Sequence, residues 1–119
     1  MATTLKREDN NNFVAGDDVD IAVTVENVPS GVSIVKAWLT FKASRTAASF
    51  VVQKILTSGF AGTSTVTFTF LLTNADTAQF RPGTKYFFDV QVKTNNGKIV
   101  TPIAHGEATF DQQTTTETA

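Results

Sequence analysis

The residue types that most often carry out enzyme chemistry do not form a catalytic pattern in this sequence. A serine hydrolase needs a histidine base, and the single histidine, His105, has no Gly-x-Ser-x-Gly nucleophile segment to serve. Glycoside hydrolysis needs two converging carboxylates, but the candidates fall on the polar sides of predicted strands: Asp20, Glu26, Asp89 and Glu107. No phosphate-binding loop or dinucleotide fingerprint is present. We therefore expect no catalytic residues, no cofactor and no enzyme activity.

One acidic cluster, Asp17-Asp18-x-Asp20, has the oxygen ligands that a hard cation such as calcium prefers. Asp111 or Asp76 would have to approach from elsewhere in the fold to complete such a site. The cluster lacks the glycine and the terminal glutamate of an EF-hand loop. We therefore expect a polar turn that leads into a strand and no metal site, with calcium binding as the alternative.

The only tryptophan, Trp38, lies on the polar side of a predicted strand. Alternation over residues 34–43 puts one set of side chains in the core and the other set outside; the inner set is Val35, Ala37, Leu39 and Phe41, and the outer set is Ile34, Lys36, Trp38, Thr40 and Lys42.

A large aromatic side chain on a polar face is typical of a contact surface. We therefore predict a partner interface made by Trp38, Lys36, Thr40 and Lys42. Leu5, the one residue that could anchor the N-terminal segment, is included in it. The alternatives are burial of Trp38 under a loop or the N-terminal segment, and stacking of its ring on a sugar or a base.

Length and composition limit what can position these residues. The chain has 119 residues, with 41% hydrophobic residues, a net charge of -1 and no cysteine. One domain held by packing and sheet pairing fits these values, and no global field would recruit nucleic acid or an anionic membrane. Neither a signal-peptide h-region nor an apolar run long enough for a membrane span is present, so we expect a soluble protein made in a cytoplasm.

Hydrophobic alternation predicts an all-β domain of about seven strands. Period-two patterns or short apolar runs occur at residues 13–15, 19–26, 34–43, 48–57, 65–72, 86–93 and 99–110. One helical turn is expected ahead of Phe80, and residues 95–97 suit a tight hairpin. Pro102 and Gly106 indicate an edge position or irregular pairing in the last strand. With no helix for a parallel crossover, an antiparallel sandwich is favoured over a closed barrel.

The segment that leads into the sixth of these strands resembles the tyrosine corner of immunoglobulin-like and fibronectin type III domains. Pro82 and Gly83 form a turn, and Tyr86 begins an alternating strand, although Phe80 stands where leucine is usual. In a tyrosine corner the phenol hydroxyl bonds back to the backbone of the preceding crossover. The resemblance implies an immunoglobulin-like sandwich, with Tyr86, Pro82 and Gly83 as its structural corner.

The arrangement as a whole looks like that of small structural proteins of tailed bacteriophages. The resemblance covers roughly residues 13–111 and depends on the segments FVAGDD (13–18), VKAWLTFKA (35–43), ADT (75–77), PG (82–83) and YFFDVQV (86–92) together with Gly106. It is a pattern of strand spacing and turn residues without a catalytic motif. It implies a virion protein that binds other capsid or tail subunits, as a capsid decoration (cement) protein or as a tail or baseplate accessory protein.

These expectations divide the chain into an extended N-terminal arm (1–12), the sandwich (13–111) and a polar C-terminal tail (112–119). The arm and the tail would lie along neighbouring subunits, with self-association in a symmetric assembly and no contact with nucleic acid or membrane. The alternative function is a host-surface or carbohydrate-binding adhesion module, for which a lone tryptophan offers little support.

Overall fold

The structure is a computed structural model that describes residues 2–4 and 10–112. This part of the chain contains eight strands and one helix: β1 (Ala2–Thr4), β2 (Asn10–Val14), β3 (Val19–Val25), β4 (Ile34–Lys42), β5 (Val52–Leu56), β6 (Val66–Leu72), α1 (Asn74–Thr77), β7 (Thr84–Thr94) and β8 (Ile99–Asp111). Within it no helix is long and apolar enough to cross a membrane. The eight strands and the single four-residue helix confirm the expected all-β fold.

Two sheets form the sandwich. One has the strand order β2-β8-β7-β4-β5, and the other has the order β1-β3-β6. This arrangement is immunoglobulin-like, with β8, β7 and β4 together in one sheet and β3 beside β6 in the other. The neighbours are antiparallel except for two pairs, β1 with β3 and β2 with β8, which are parallel. The sequence predicts an antiparallel sandwich, and these two pairs depart from it. β2 and β8 run in the same direction and end side by side, where Ala15 donates its N–H to the carbonyl of Asp111 at 2.8 Å.

The N-terminal segment takes part in both sheets. Residues 2–4 pair with residues 20–22 of β3, and residues 10–12 begin the strand β2, which pairs with β8. These stretches are not a free arm, and the sandwich begins before residue 13. The rest of the predicted arm, including Leu5, and residues 113–119 of the predicted tail lie outside the described residues.

Aromatic rings fill the middle of the core. Phe80 and Phe110 stack with centroids 3.8 Å apart, and Phe41 contacts both rings edge-on at 5.1 and 6.0 Å. Alternation along β6 and β7 supplies much of the remaining core, because every second side chain of these strands is buried. The core holds the two sheets in a fixed relation, so their outward faces are fixed as well.

The pairing of β4 is irregular at its start, and this changes two predicted orientations. The register shifts between Ile34 and Lys36, where β4 pairs with β7. Ile34 is therefore buried at 7% exposure, whereas Val35 is 42% exposed, the reverse of the predicted faces. From Ala37 onward the predicted alternation is correct, with Ala37 and Leu39 buried. The bulge ends before Ala37, so the orientation of Trp38 is the predicted one.

The last strand is irregular where its sequence predicts. The register between β7 and β8 shifts on both sides of Val90, and β2 pairs only with residues 107–111 of β8. Pro102 therefore lies in the half of β8 that has β7 as its one described neighbour. Gly106 packs directly under Phe88, so closely that an added Cβ would lie 2.2 Å from a ring carbon.

Candidate partner-binding face

The turn before β7 fixes that strand to the core. The Tyr86 hydroxyl accepts a hydrogen bond from the backbone N–H of Arg81 at 2.6 Å, which is the geometry of a tyrosine corner. Pro82 and Gly83 form the intervening turn, where Gly83 adopts a positive φ of 77° and donates its N–H to the carbonyl of Phe110 at 2.7 Å. The corner thus joins β7 to β8, and β7 in turn supports β4.

The outward side of β4 carries the predicted interface residues in one row. Lys36, Trp38, Thr40 and Lys42 alternate with buried residues, and all four are half-buried. Ile55 of β5 is the cross-strand partner of Trp38 and is 51% exposed. We call these five residues, together with Lys93 of β7 on the same outward side, the Trp38 face. It joins a tryptophan and an exposed isoleucine in the middle to lysines at either end.

Lysine side chains crowd one end of the Trp38 face. The Lys36 ammonium lies 5.1 Å from the centroid of the Trp38 ring, a cation–π contact. Lys93 of β7 is the register partner of Lys36, so two like charges lie directly opposite each other in the sheet. Such a pair is destabilising unless an anion lies near it. Two ion pairs of other described lysines lie elsewhere, at Lys54–Asp76 (2.7 Å) and Lys85–Glu107 (3.0 Å).

A half-buried carboxylate, that of Asp89, lies beside the other end of the Trp38 face. Asp89 of β7 is the cross-strand partner of Thr40 and shares a shallow depression with Lys42, Arg45 and Phe87. Burial raises the pKa of Asp89 above its ordinary value, and the charge of Lys42 opposes part of that rise. The carboxylate is therefore less stable in its ionised form here than in water.

His105 lies beside this depression, on β8. It is exposed, and its Nδ1 is 3.4 Å from Nη1 of Arg45, whose guanidinium also covers the ring of Phe87 at 4.7 Å. The polar neighbour of the imidazole is thus a cation. A hydrolytic triad requires a carboxylate in that place, so this geometry is not that of a triad.

Two residues of the acidic cluster, Asp17 and Asp18, lie in the turn before β3 and help to hold α1, whereas Asp20 is part of β3. Asp18 accepts a hydrogen bond from the N–H of Asn74 at 2.6 Å. Thr77, which is fully buried, donates its hydroxyl to the carbonyl of Asp17 at 2.7 Å and accepts the N–H of Gly16 at 2.9 Å. Sequence reasoning missed Thr77, because its partners lie some 60 residues away. No group of three or more metal-ligating side chains occurs within the described ranges.

The comparisons with known proteins identify no relative. No family model, no curated protein and no solved structure matches the chain.

Proposed function

We propose that this chain is a non-enzymatic structural protein of a bacteriophage virion, which binds neighbouring subunits as a capsid decoration protein or as a tail or baseplate accessory protein. The observation that carries its binding role is the Trp38 face, in which a half-buried tryptophan and an exposed isoleucine lie between lysines. Tryptophan is among the residues that contribute most binding energy at protein interfaces.

The position of β4 suits this role. The strand is hydrogen-bonded to β5 on one side and to β7 on the other, so Trp38 is held by backbone pairing on both sides. A side chain presented by a rigid sheet loses little conformational freedom on binding, and this favours affinity. The backbone position of the face is therefore set before a partner arrives.

The assignment to a virion is supported by the resemblance in strand spacing and turn residues over residues 13–111. Mass spectrometry of purified virions of the encoding phage tests it, with the copy number compared with that of the major capsid protein. A high, symmetric copy number favours capsid decoration, and a low one favours the tail. If the protein is not found in virions, the proposal is wrong.

Trp38→Ala tests the face itself. Because Trp38 lies outside the core, we expect its truncation to cost about 1 kcal/mol or less of folding stability, near the range of surface changes. If Trp38 anchors the interface, the substitution should weaken the binding free energy of the subunit in the particle by about 2 kcal/mol or more, which is roughly a thirtyfold loss of affinity. Leu39→Ala, on the buried side of the same strand, is the control and should cost about 2 to 5 kcal/mol of stability. A strongly destabilised Trp38→Ala protein with unchanged incorporation would contradict the proposal.

The alternative, a carbohydrate-binding adhesion module, is favoured by one observation. Gln91, a planar amide, is the cross-strand partner of Trp38, and an aromatic ring beside such a group is typical of sugar sites. Lys36 over the tryptophan ring argues against it, because it occupies a face on which a sugar would stack. Glycan binding by the isolated protein that Trp38→Ala abolishes would favour this alternative.

A further inference from the structure

Charges of opposite sign are separated along the chain and in the fold. Residues 10–35 contain acidic side chains and no Lys or Arg, whereas residues 36–54 contain basic side chains and no Asp or Glu; the acidic set is Asp17, Asp18, Asp20 and Glu26, and the basic set is Lys36, Lys42, Arg45 and Lys54. The acidic segment supplies β3, and the basic segment supplies β4 and the start of β5, which lie in different sheets. Among the described residues, the outward side of β3 therefore carries the acidic Asp20, and the outward side of β4 carries the basic Lys36 and Lys42.

The outward face of the smaller sheet has its own apolar centre. The even-numbered side chains of β6 are buried, so Thr67, Thr69 and Leu71 point outward, and Leu71 is 62% exposed. Asp20 of β3 is the cross-strand partner of Leu71. We call Asp20, Leu71, Thr67 and Thr69 the Leu71 face.

The Trp38 face is the opposite of the Leu71 face in charge and lies on the other side of the molecule. Its excess charge is positive: Lys36 and Lys93 face each other, and the two outward carboxylates nearby are opposed by lysines, Glu107 by Lys85 at 3.0 Å and Asp89 by Lys42. Lys54 does not contribute, because it is paired with Asp76 at 2.7 Å.

We propose that the Trp38 face of one copy binds the Leu71 face of a second copy. This names the partner that the proposed function leaves open, and it rests on that proposal only in treating the Trp38 face as an interface. The Asp20 carboxylate beside Leu71 would offset the repulsion between Lys36 and Lys93, while Leu71 would meet Trp38 and Ile55. A two-fold contact between two Trp38 faces would instead bring lysines against lysines, which opposes binding.

The geometry allows each copy to bind two others. The faces lie on opposite sides of the sandwich, so the contact is heterologous and builds a ring or an open stack. A repeating assembly of this kind needs no second type of subunit.

Sedimentation velocity of the full chain over a range of concentrations and salt tests the contact. We expect concentration-dependent oligomers that dissociate as salt rises, because the contact is between opposite charges. Lys93→Glu places a carboxylate opposite Lys36, so it should maintain or raise the unfolding midpoint while weakening self-association about tenfold or more. Asp20→Lys on the other face should weaken self-association to a similar extent.

An equimolar mixture of the two variants is the decisive sample. The unchanged Trp38 face of the Asp20→Lys protein can bind the unchanged Leu71 face of the Lys93→Glu protein, so oligomers should return on mixing. A protein that stays monomeric at all concentrations would overturn the inference, and the virion proposal would still stand or fall by mass spectrometry. Stronger self-association of Lys93→Glu would also overturn it, because that is the result expected of a two-fold contact between Trp38 faces.

Discussion

Replacing Tyr86 with phenylalanine removes a single oxygen atom from the tyrosine corner. The ring of Tyr86 contacts Phe80 edge-on at 4.9 Å and Phe110 at 6.0 Å, and phenylalanine keeps both contacts. What is lost is the hydrogen bond from the N–H of Arg81 to the hydroxyl, at 2.6 Å. The change therefore isolates the contribution of the hydroxyl from that of the ring.

The expected loss of folding stability depends on how far water can reach the freed N–H of Arg81. A buried donor that loses its acceptor costs about 1 to 3 kcal/mol. Arg81 is exposed and its bond to Tyr86 is only part-buried, so water can reach the freed N–H in part. We therefore expect Tyr86→Phe to cost about 1 to 2 kcal/mol, from the lower part of that range. For a domain of this size, about 4 °C of melting temperature corresponds to 1 kcal/mol, so the midpoint should fall by roughly 4 to 8 °C.

Chemical denaturation of the two proteins measures this difference. The midpoint should fall while the m-value stays constant, because the substitution leaves the buried surface nearly unchanged. Tyr86→Leu is the comparison: it also removes the ring contacts with Phe80 and Phe110, so it should cost at least about 0.5 to 1.5 kcal/mol more. If Tyr86→Phe unfolds at the same midpoint as the parent protein, the hydroxyl does not hold the corner, and the account of how β7 is anchored is wrong.

Two further substitutions test the packing and the electrostatics of β7. Gly106→Ala puts a methyl group against the Phe88 ring, so it should cost about 1 to 3 kcal/mol in denaturation, and Phe88→Leu should recover part of that loss. Asp89→Asn should raise the thermal midpoint at pH 7 and leave it unchanged near pH 2. Burial raises the pKa of Asp89 in the folded state, so ionisation of this group lowers the stability of the fold as pH rises through that pKa. Near pH 2 the group is protonated in both the folded and the unfolded state, so the substitution has no effect there.

Much of the fold could be predicted because polar and apolar residues alternate cleanly in most strands. In β6 the buried residues are Val66, Phe68, Phe70 and Leu72, and they alternate with two threonines and Leu71, which are exposed. This burial pattern follows the alternation in the sequence. The prediction failed where neighbouring residues are all apolar. Ile34 and Val35 carry no alternation, so the bulge that buries one and exposes the other leaves no signal in the sequence.

The same limit explains the start of β5. The expected strand over residues 48–57 begins only at Val52, and Phe50, inside the expected range, is 53% exposed. Phe50, Val51 and Val52 form an apolar run whose register depends on β4, and Val51 donates its N–H to the carbonyl of Phe41 at 2.8 Å. That bond joins residues ten positions apart, which a local pattern does not reveal.

The candidate site shows most clearly what one strand can and cannot reveal. Alternation along β4 was enough to put Trp38 on the same side as Lys36, but Ile55 and Lys93 join the face only through pairing with β5 and β7. Without that register the lysines of the sequence are scattered charges in a chain of net charge -1, and no field is expected from them. Sheet pairing brings Lys36 and Lys93 together and leaves Asp20 on the opposite side of the sandwich. In a nearly neutral chain, this separation of Lys36 and Lys93 from Asp20, rather than the net charge, is what would direct the proposed assembly.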